Sequence, residues 1–152
     1  MPKERSTRQP RKSDSQDLPG IALEKAVARV QQLLDPNSKV THDEKLADRV
    51  GNMRQYDVII RGQFAGRDCL GVIECKDHGR KAGPGDVDAF AKKTENLGAN
   101  IRMMVSRRGF TARALNVATH EHIACLSLLS PEASIPSGVV GEWWYGEYAM
   151  WR

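Results

Sequence analysis

Two runs rich in β-branched residues, QYDVIIRG (residues 55–62) and DCLGVIECK (residues 68–76), are separated by a short loop that carries Gly66. Runs of this length and composition read as strands, and a glycine-bearing loop between them reads as an antiparallel hairpin. With the tip at Ala65-Gly66, Ile59 falls opposite Val72, Arg61 opposite Leu70, and Asp57 opposite Glu74. Directly opposed residues share a face of the sheet, as do residues two apart on one strand. Asp57, Glu74 and Lys76 are therefore expected to converge at one end of the hairpin. Cys75 points the other way, into an apolar layer.

The hairpin is embedded in an alternation of helices and strands. Residues 21–34 carry Ile21, Leu23, Ala26, Val27, Val30, Leu33 and Leu34 at helical spacing, and Asp35-Pro36-Asn37 ends that helix. A strand around Val40 is only weakly patterned. A second helix spans residues 85–97, with Val87, Phe90, Ala91, Thr94 and Leu97 inward and Gly98 as its stop. NIRMMVS (residues 100–106) reads as a strand, residues 111–119 as a helix capped by Thr111, and residues 123–129 as a last buried strand. Helical crossovers favour parallel pairing in the second half. The expected fold is α/β: a mixed central sheet, with an antiparallel hairpin plus parallel strands, flanked by helices.

The termini differ in character. Residues 1–19 hold Lys3, Arg5, Arg8, Arg11 and Lys12 with almost no apolar residue, so a disordered basic arm is expected, either a solubilising tail or a loose phosphate tether. Residues 20–130 form the folded domain. Residues 131–152 form a C-terminal extension that holds all three tryptophans and every tyrosine except Tyr56. Such an aromatic segment can pack on the core, cover a sheet edge, join two subunits or stack on bases. No apolar run is long enough to span a membrane, and the N-terminus has no signal-peptide pattern, so an intracellular, cytoplasmic protein is expected. The three cysteines show no CxxC spacing, which argues against a zinc knuckle or a disulfide framework. The net charge of +4 leans towards polyanionic partners.

The charged alternation at the end of VIECKD is where chemistry is expected. A carboxylate pair across a hairpin is self-repulsive and calls for compensation. A divalent cation supplies it, and Mg²⁺ favours oxygen ligands while keeping several waters. Lys76, beside Glu74, could then orient a water or offset charge building on a phosphate. The Cys75 backbone carbonyl is a further candidate ligand. The plainer alternative is a structural Glu74–Lys76 pair with Asp57 capping a strand.

Asp57, sixteen intervening residues, then Glu74-Cys75-Lys76, resembles the PD-(D/E)xK nuclease signature. DRVGNMRQYDVIIRG followed by VIECKD, DVDAFAKKTENLGA and VSRRGFTARALNVATHEHIACLSL are similar to successive segments of the Mrr-type, restriction-endonuclease-like catalytic domain. The resemblance implies that family's mixed sheet and metal-dependent hydrolysis of DNA phosphodiester bonds. It implies metal-binding roles for Asp57 and Glu74, and catalysis by Lys76. Mg²⁺ would be the cofactor, with Mn²⁺ as a substitute. Many relatives add an acid on the first helix, for which Glu24 is the match, although Glu24 could simply complement the helix dipole. Tyr56 stands where the family has proline.

Arg80, Lys81, Lys93, Arg107, Arg108 and Arg113 are candidate DNA contacts, each also readable as solvated surface. His120 and His122 are read as the cationic end of a helix rather than as metal ligands. The leading expectation is a restriction-type DNA endonuclease, dimeric if it cuts both strands. A repair or recombination nuclease of junction-resolvase type and a catalytically silent DNA-binding module are the alternatives.

Overall fold

The computed structural model describes residues 19–128. The expected basic arm and aromatic extension fall outside the described residues, apart from Pro19, which opens the first helix. The elements are α1 (Pro19–Leu34), β1 (Lys39–Ala47), β2 (Met53–Phe64), β3 (Arg67–Lys76), α2 (Pro84–Glu95), β4 (Ile101–Ser106), α3 (Ala112–His120) and β5 (Ala124–Ser127). They build one five-stranded sheet in the order β1-β2-β3-β4-β5. The β1–β2 and β2–β3 pairs are antiparallel, whereas β3–β4 and β4–β5 are parallel. The mixed sheet expected from the alternation of elements is thus present.

The hairpin register follows from its turn. Ala65 and Gly66 both have positive φ, 51° and 75°. A tight turn of two left-handed residues matches the twist of the flanking strands. It aligns Ile59 with Val72 and Arg61 with Leu70, as the sequence predicts. Alanine pays for this conformation, at roughly 1 kcal/mol. Ala65→Asn is therefore expected to raise stability by about 0.5 kcal/mol, measurable by urea unfolding, because asparagine tolerates the left-handed region.

Each face of the sheet is covered. Leu23, Val27 and Ala28 of α1 pack with Val58, Ile73 and Val105, and Cys75 lies against this layer. On the opposite face Val87, Phe90 and Ala91 of α2 and Ala114 and Ala118 of α3 pack with Tyr56, Ile59, Val72 and Met104. Of the apolar positions on α1, Ile21, Val30, Leu33 and Leu34 are exposed, so the apolar stripe is wider than the buried face. Local signals fix the other two helices. The Asp86 carboxylate accepts the Gly83 N–H at 2.8 Å, and the Thr111 hydroxyl accepts the Ala114 N–H at 3.2 Å.

Strand β1 is longer than its sequence suggests. It is an edge strand, mostly exposed, so little apolar alternation marks it. Its Glu44 takes the Arg61 guanidinium through both oxygens, at 2.9 and 2.6 Å. Asp43 sits in left-handed geometry at φ 53° and accepts a hydrogen bond from Gln55.

Candidate active site

The β2–β3 ladder runs as far as Val58–Ile73. At the next step a side chain takes over: the Asp57 carboxylate accepts the Cys75 N–H through Oδ2 at 2.7 Å. Glu74 and Lys76, on either side of Cys75, point to the α2 face. Glu74 Oε1 accepts from the Lys76 ammonium at 3.0 Å, and Oε2 from the Lys93 ammonium of α2 at 2.7 Å. The Glu74, Lys76 and Lys93 side chains are only 12%, 19% and 22% exposed. Asp57, Glu74 and Lys76 are thus gathered at one end of the sheet, where the C-terminal ends of the parallel strands lie.

The electrostatics are those of crowded carboxylates. Burial and then the Glu74 charge raise the Asp57 pKa, against the pull of the Cys75 N–H, Lys93 and Lys76. Glu24 reaches the same cluster from α1. Burial, followed by the charges of Asp57, Asp43 and Glu74, pushes its pKa up to about 7, opposed by Lys93. Asp43, which no sequence motif flags, therefore belongs to the field of this site. The Cys75 thiol is raised first by burial and then by Asp57, Glu24 and Glu74, so it remains a neutral thiol.

This field has a consequence for stability. A carboxylate whose folded pKa is raised favours the fold while protonated, and that contribution is lost as pH rises through the folded value. For Glu24 the window runs from about 4.5 to about 7. Metal-free protein is expected to show a melting temperature that rises as pH falls from 8 towards 5.5. Glu24→Gln is expected to flatten that slope in differential scanning calorimetry.

Among the described residues no three His, Cys, Asp or Glu side chains are grouped as a ready metal cage. The donor set nevertheless fits a hard cation. Mg²⁺ is commonly held by one or two carboxylates and keeps several waters, whereas a neutral buried thiol offers nothing to it. Asp57 and Glu74 raise the charge density where such an ion would relieve it. The Cys75 carbonyl fits as a third oxygen. Lys76 turns its carbonyl towards β4, where it accepts the Arg107 N–H at 3.0 Å. Successive strand residues face opposite edges, so Cys75 turns its N–H and carbonyl towards Asp57.

Basic side chains rim this end of the sheet. A bridge between Ala82 and Phe110 ties the loop after β3 to the loop after β4. Arg80, Lys81, Arg107, Arg108 and Arg113 are exposed on or beside these loops. Arg107 is anchored by Asp77 at 2.7 Å and Arg80 by Asp86 at 3.0 Å. Lys93, grouped with these cations on sequence grounds, turns inward to Glu74 instead. Its ammonium lies 5.1 Å from the centre of the Tyr56 ring. The clue available in sequence was its place on α2 between the inward Phe90 and Thr94. His120 and His122 sit at the end of α3, with His120 beside Glu121.

The family model for the Mrr catalytic domain, described as a restriction endonuclease, matches residues 17–130. Among solved structures, the crystal structure of protein of unknown function AF1548 superposes with a TM-score of 0.60 at 15% identity, covering 83% of this chain and 77% of that one. The DNA modification-dependent restriction endonuclease AspBHI gives a TM-score of 0.49 at 16% identity, covering 85% of this chain and 35% of that one. At these identities the first likeness speaks for the fold alone. No curated protein matches the chain. No helix among the described residues is long and apolar enough to cross a membrane.

Proposed function

The chain belongs to the restriction endonuclease family defined by the Mrr catalytic domain, and we propose that it hydrolyses DNA phosphodiester bonds with Mg²⁺ at the Asp57–Glu74–Lys76 site, as a restriction-type enzyme. DNA is the substrate class of this family, and its nucleases generally use divalent metals. The observation that carries the reading is the Asp57 carboxylate locked onto the Cys75 N–H beside Glu74, with Lys76 on Glu74. Two carboxylates and an ammonium then meet at a rim lined with arginines.

Asp57, Glu74 and the Cys75 carbonyl would hold the cation, with Glu24, which feels the Asp57 and Glu74 charges from α1, as a further candidate acid. Mn²⁺ would substitute for Mg²⁺. The bound cation would supply Lewis-acid stabilisation at the scissile phosphate and acidify the attacking water. Lys76 aims that water and offsets the negative charge that builds on the phosphate oxygens. The water oxygen gives up a proton to solvent and bonds to phosphorus, the bond to one deoxyribose oxygen breaks, and that oxygen takes a proton from solvent. Arg107, held by Asp77, and the exposed Arg80, Lys81, Arg108 and Arg113 neutralise the flanking phosphates. A homodimer would bring two such sites to the two strands.

The test of substrate class uses linear duplex, supercoiled plasmid and a four-way junction, each with Mg²⁺ and with EDTA. Cleavage of linear and supercoiled duplex that EDTA abolishes is expected. Cleavage confined to the junction would make the protein a resolvase. Failure to cut any nucleic acid with Mg²⁺ or Mn²⁺ would favour a silent binding module.

A further inference from the structure

Lys93 stands out among the groups gathered at this site, because it belongs neither to the nuclease signature nor to the solvated surface. It takes the Glu74 oxygen that Lys76 leaves free, at 2.7 Å. It is also fixed from below by Tyr56, which is fully buried. The Tyr56 ring lies under the Lys93 ammonium at 5.1 Å, and the Tyr56 hydroxyl donates to the Lys93 backbone carbonyl at 3.1 Å. Tyr56 directly precedes Asp57 and stands where the resembled signature has proline. One residue of the metal-binding strand thus holds both the backbone and the head of this lysine.

The charge balance gives the arrangement its meaning. Asp57 and Glu74 contribute two negative charges, to whose field Glu24 and Asp43 add, and Lys76 and Lys93 set two positive ones against them. The carboxylates can therefore sit together in the absence of a metal. We infer that Lys93 is a positioning residue that acts as a built-in counter-cation: it holds Glu74 in the metal-free enzyme and must leave Oε2 for a divalent ion to bind. The inference rests on the nuclease reading only in taking Glu74 as a metal ligand. Two effects push metal affinity the same way. Lys93 competes for a ligand oxygen, and its charge repels the incoming cation.

The test is Mn²⁺ binding to the full chain without DNA, followed by electron paramagnetic resonance of free Mn²⁺. Lys93→Met is expected to bind Mn²⁺ about tenfold more tightly than wild type, the equivalent of one modest ion pair. Lys93→Arg is expected to stay within about threefold of wild type, because it keeps the competing charge. Lys93→Gln provides the same neutralisation should Lys93→Met fail to fold. In EDTA, Lys93→Met is expected to melt below wild type, and Mn²⁺ should raise its melting temperature by more than it raises that of wild type. Unchanged or weaker Mn²⁺ binding in both neutral variants would overturn the inference, as would a wild type that binds no Mn²⁺ at millimolar concentration. Wild-type protein that binds Mn²⁺ but cuts no DNA would sink the nuclease reading and leave the role of Lys93 to the affinities.

Discussion

Lys76→Ala is expected to lower Mg²⁺-dependent DNA cleavage by about 10²–10⁴-fold at saturating metal, while metal binding persists. The asymmetry comes from what each group touches. The Lys76 ammonium bonds to Glu74 Oε1 at 3.0 Å and lies at the open end of β3, where a phosphate oxygen or an attacking water can reach it. It is not a metal ligand, so its loss removes charge compensation during the reaction and leaves the carboxylates in place. Glu74 keeps Lys93 as a partner, so the fold is expected to lose only roughly 1 kcal/mol. Lys76→Arg should rescue little, because a planar guanidinium cannot stand in for a compact ammonium. Single-turnover rates at several Mg²⁺ concentrations separate the two effects. A role in structure alone would lower the melting temperature and leave the rate per folded molecule unchanged.

Asp57 is expected to give the opposite pairing of stability and activity. Asp57→Asn should abolish cleavage and metal binding. In EDTA at pH 8 it should melt at or above the wild-type temperature. The physical reason lies in the raised pKa, caused by burial and by Glu74. A carboxylate raised in the fold stabilises it only while protonated, and the contribution is gone above the folded pKa. At pH 8 the ionised Asp57 therefore works against folding, and a neutral amide removes that penalty. The asparagine oxygen can still accept the Cys75 N–H. Asp57→Ala cannot, and leaves that partly buried donor without its partner, at about 1–3 kcal/mol. Alanine and asparagine should thus be equally inactive and differ in melting temperature, which calorimetry reads directly.

The sequence carried the architecture because the hairpin runs are apolar on both faces and its tip contains Gly66. The pairs Ile59–Val72 and Arg61–Leu70 follow from the turn alone. Helices α2 and α3 were equally legible, since Phe90 and Ala114 face the core at helical spacing and Thr111 caps α3. Strand β1 was harder to read, because an edge strand has no need of apolar alternation. The site was legible as far as local spacing reaches: Glu74 and Lys76 are neighbours on a strand, and Asp57 is one hairpin register away. Long-range contacts were not. Lys93 meets Glu74 only because α2 packs beside β3, and Asp43 joins the field of Glu24 because β1 pairs antiparallel with β2 and exposes its acid at a left-handed residue. In sequence Tyr56 is only a replacement for the family's proline; in the fold it supports Lys93.

If Asp57, Glu74 and Lys76 form one metal-dependent hydrolytic site, cleavage should need the metal and each of these side chains. The most direct test is conversion of supercoiled plasmid by wild type, Asp57→Asn and Lys76→Ala, all shown to be folded and assayed with Mg²⁺. Wild type is expected to nick or linearise the plasmid with Mg²⁺ and not with EDTA, and both variants to lose cleavage, with Mn²⁺ binding kept only in Lys76→Ala. Cleavage that survives both substitutions at the wild-type rate would place the reaction elsewhere in the molecule.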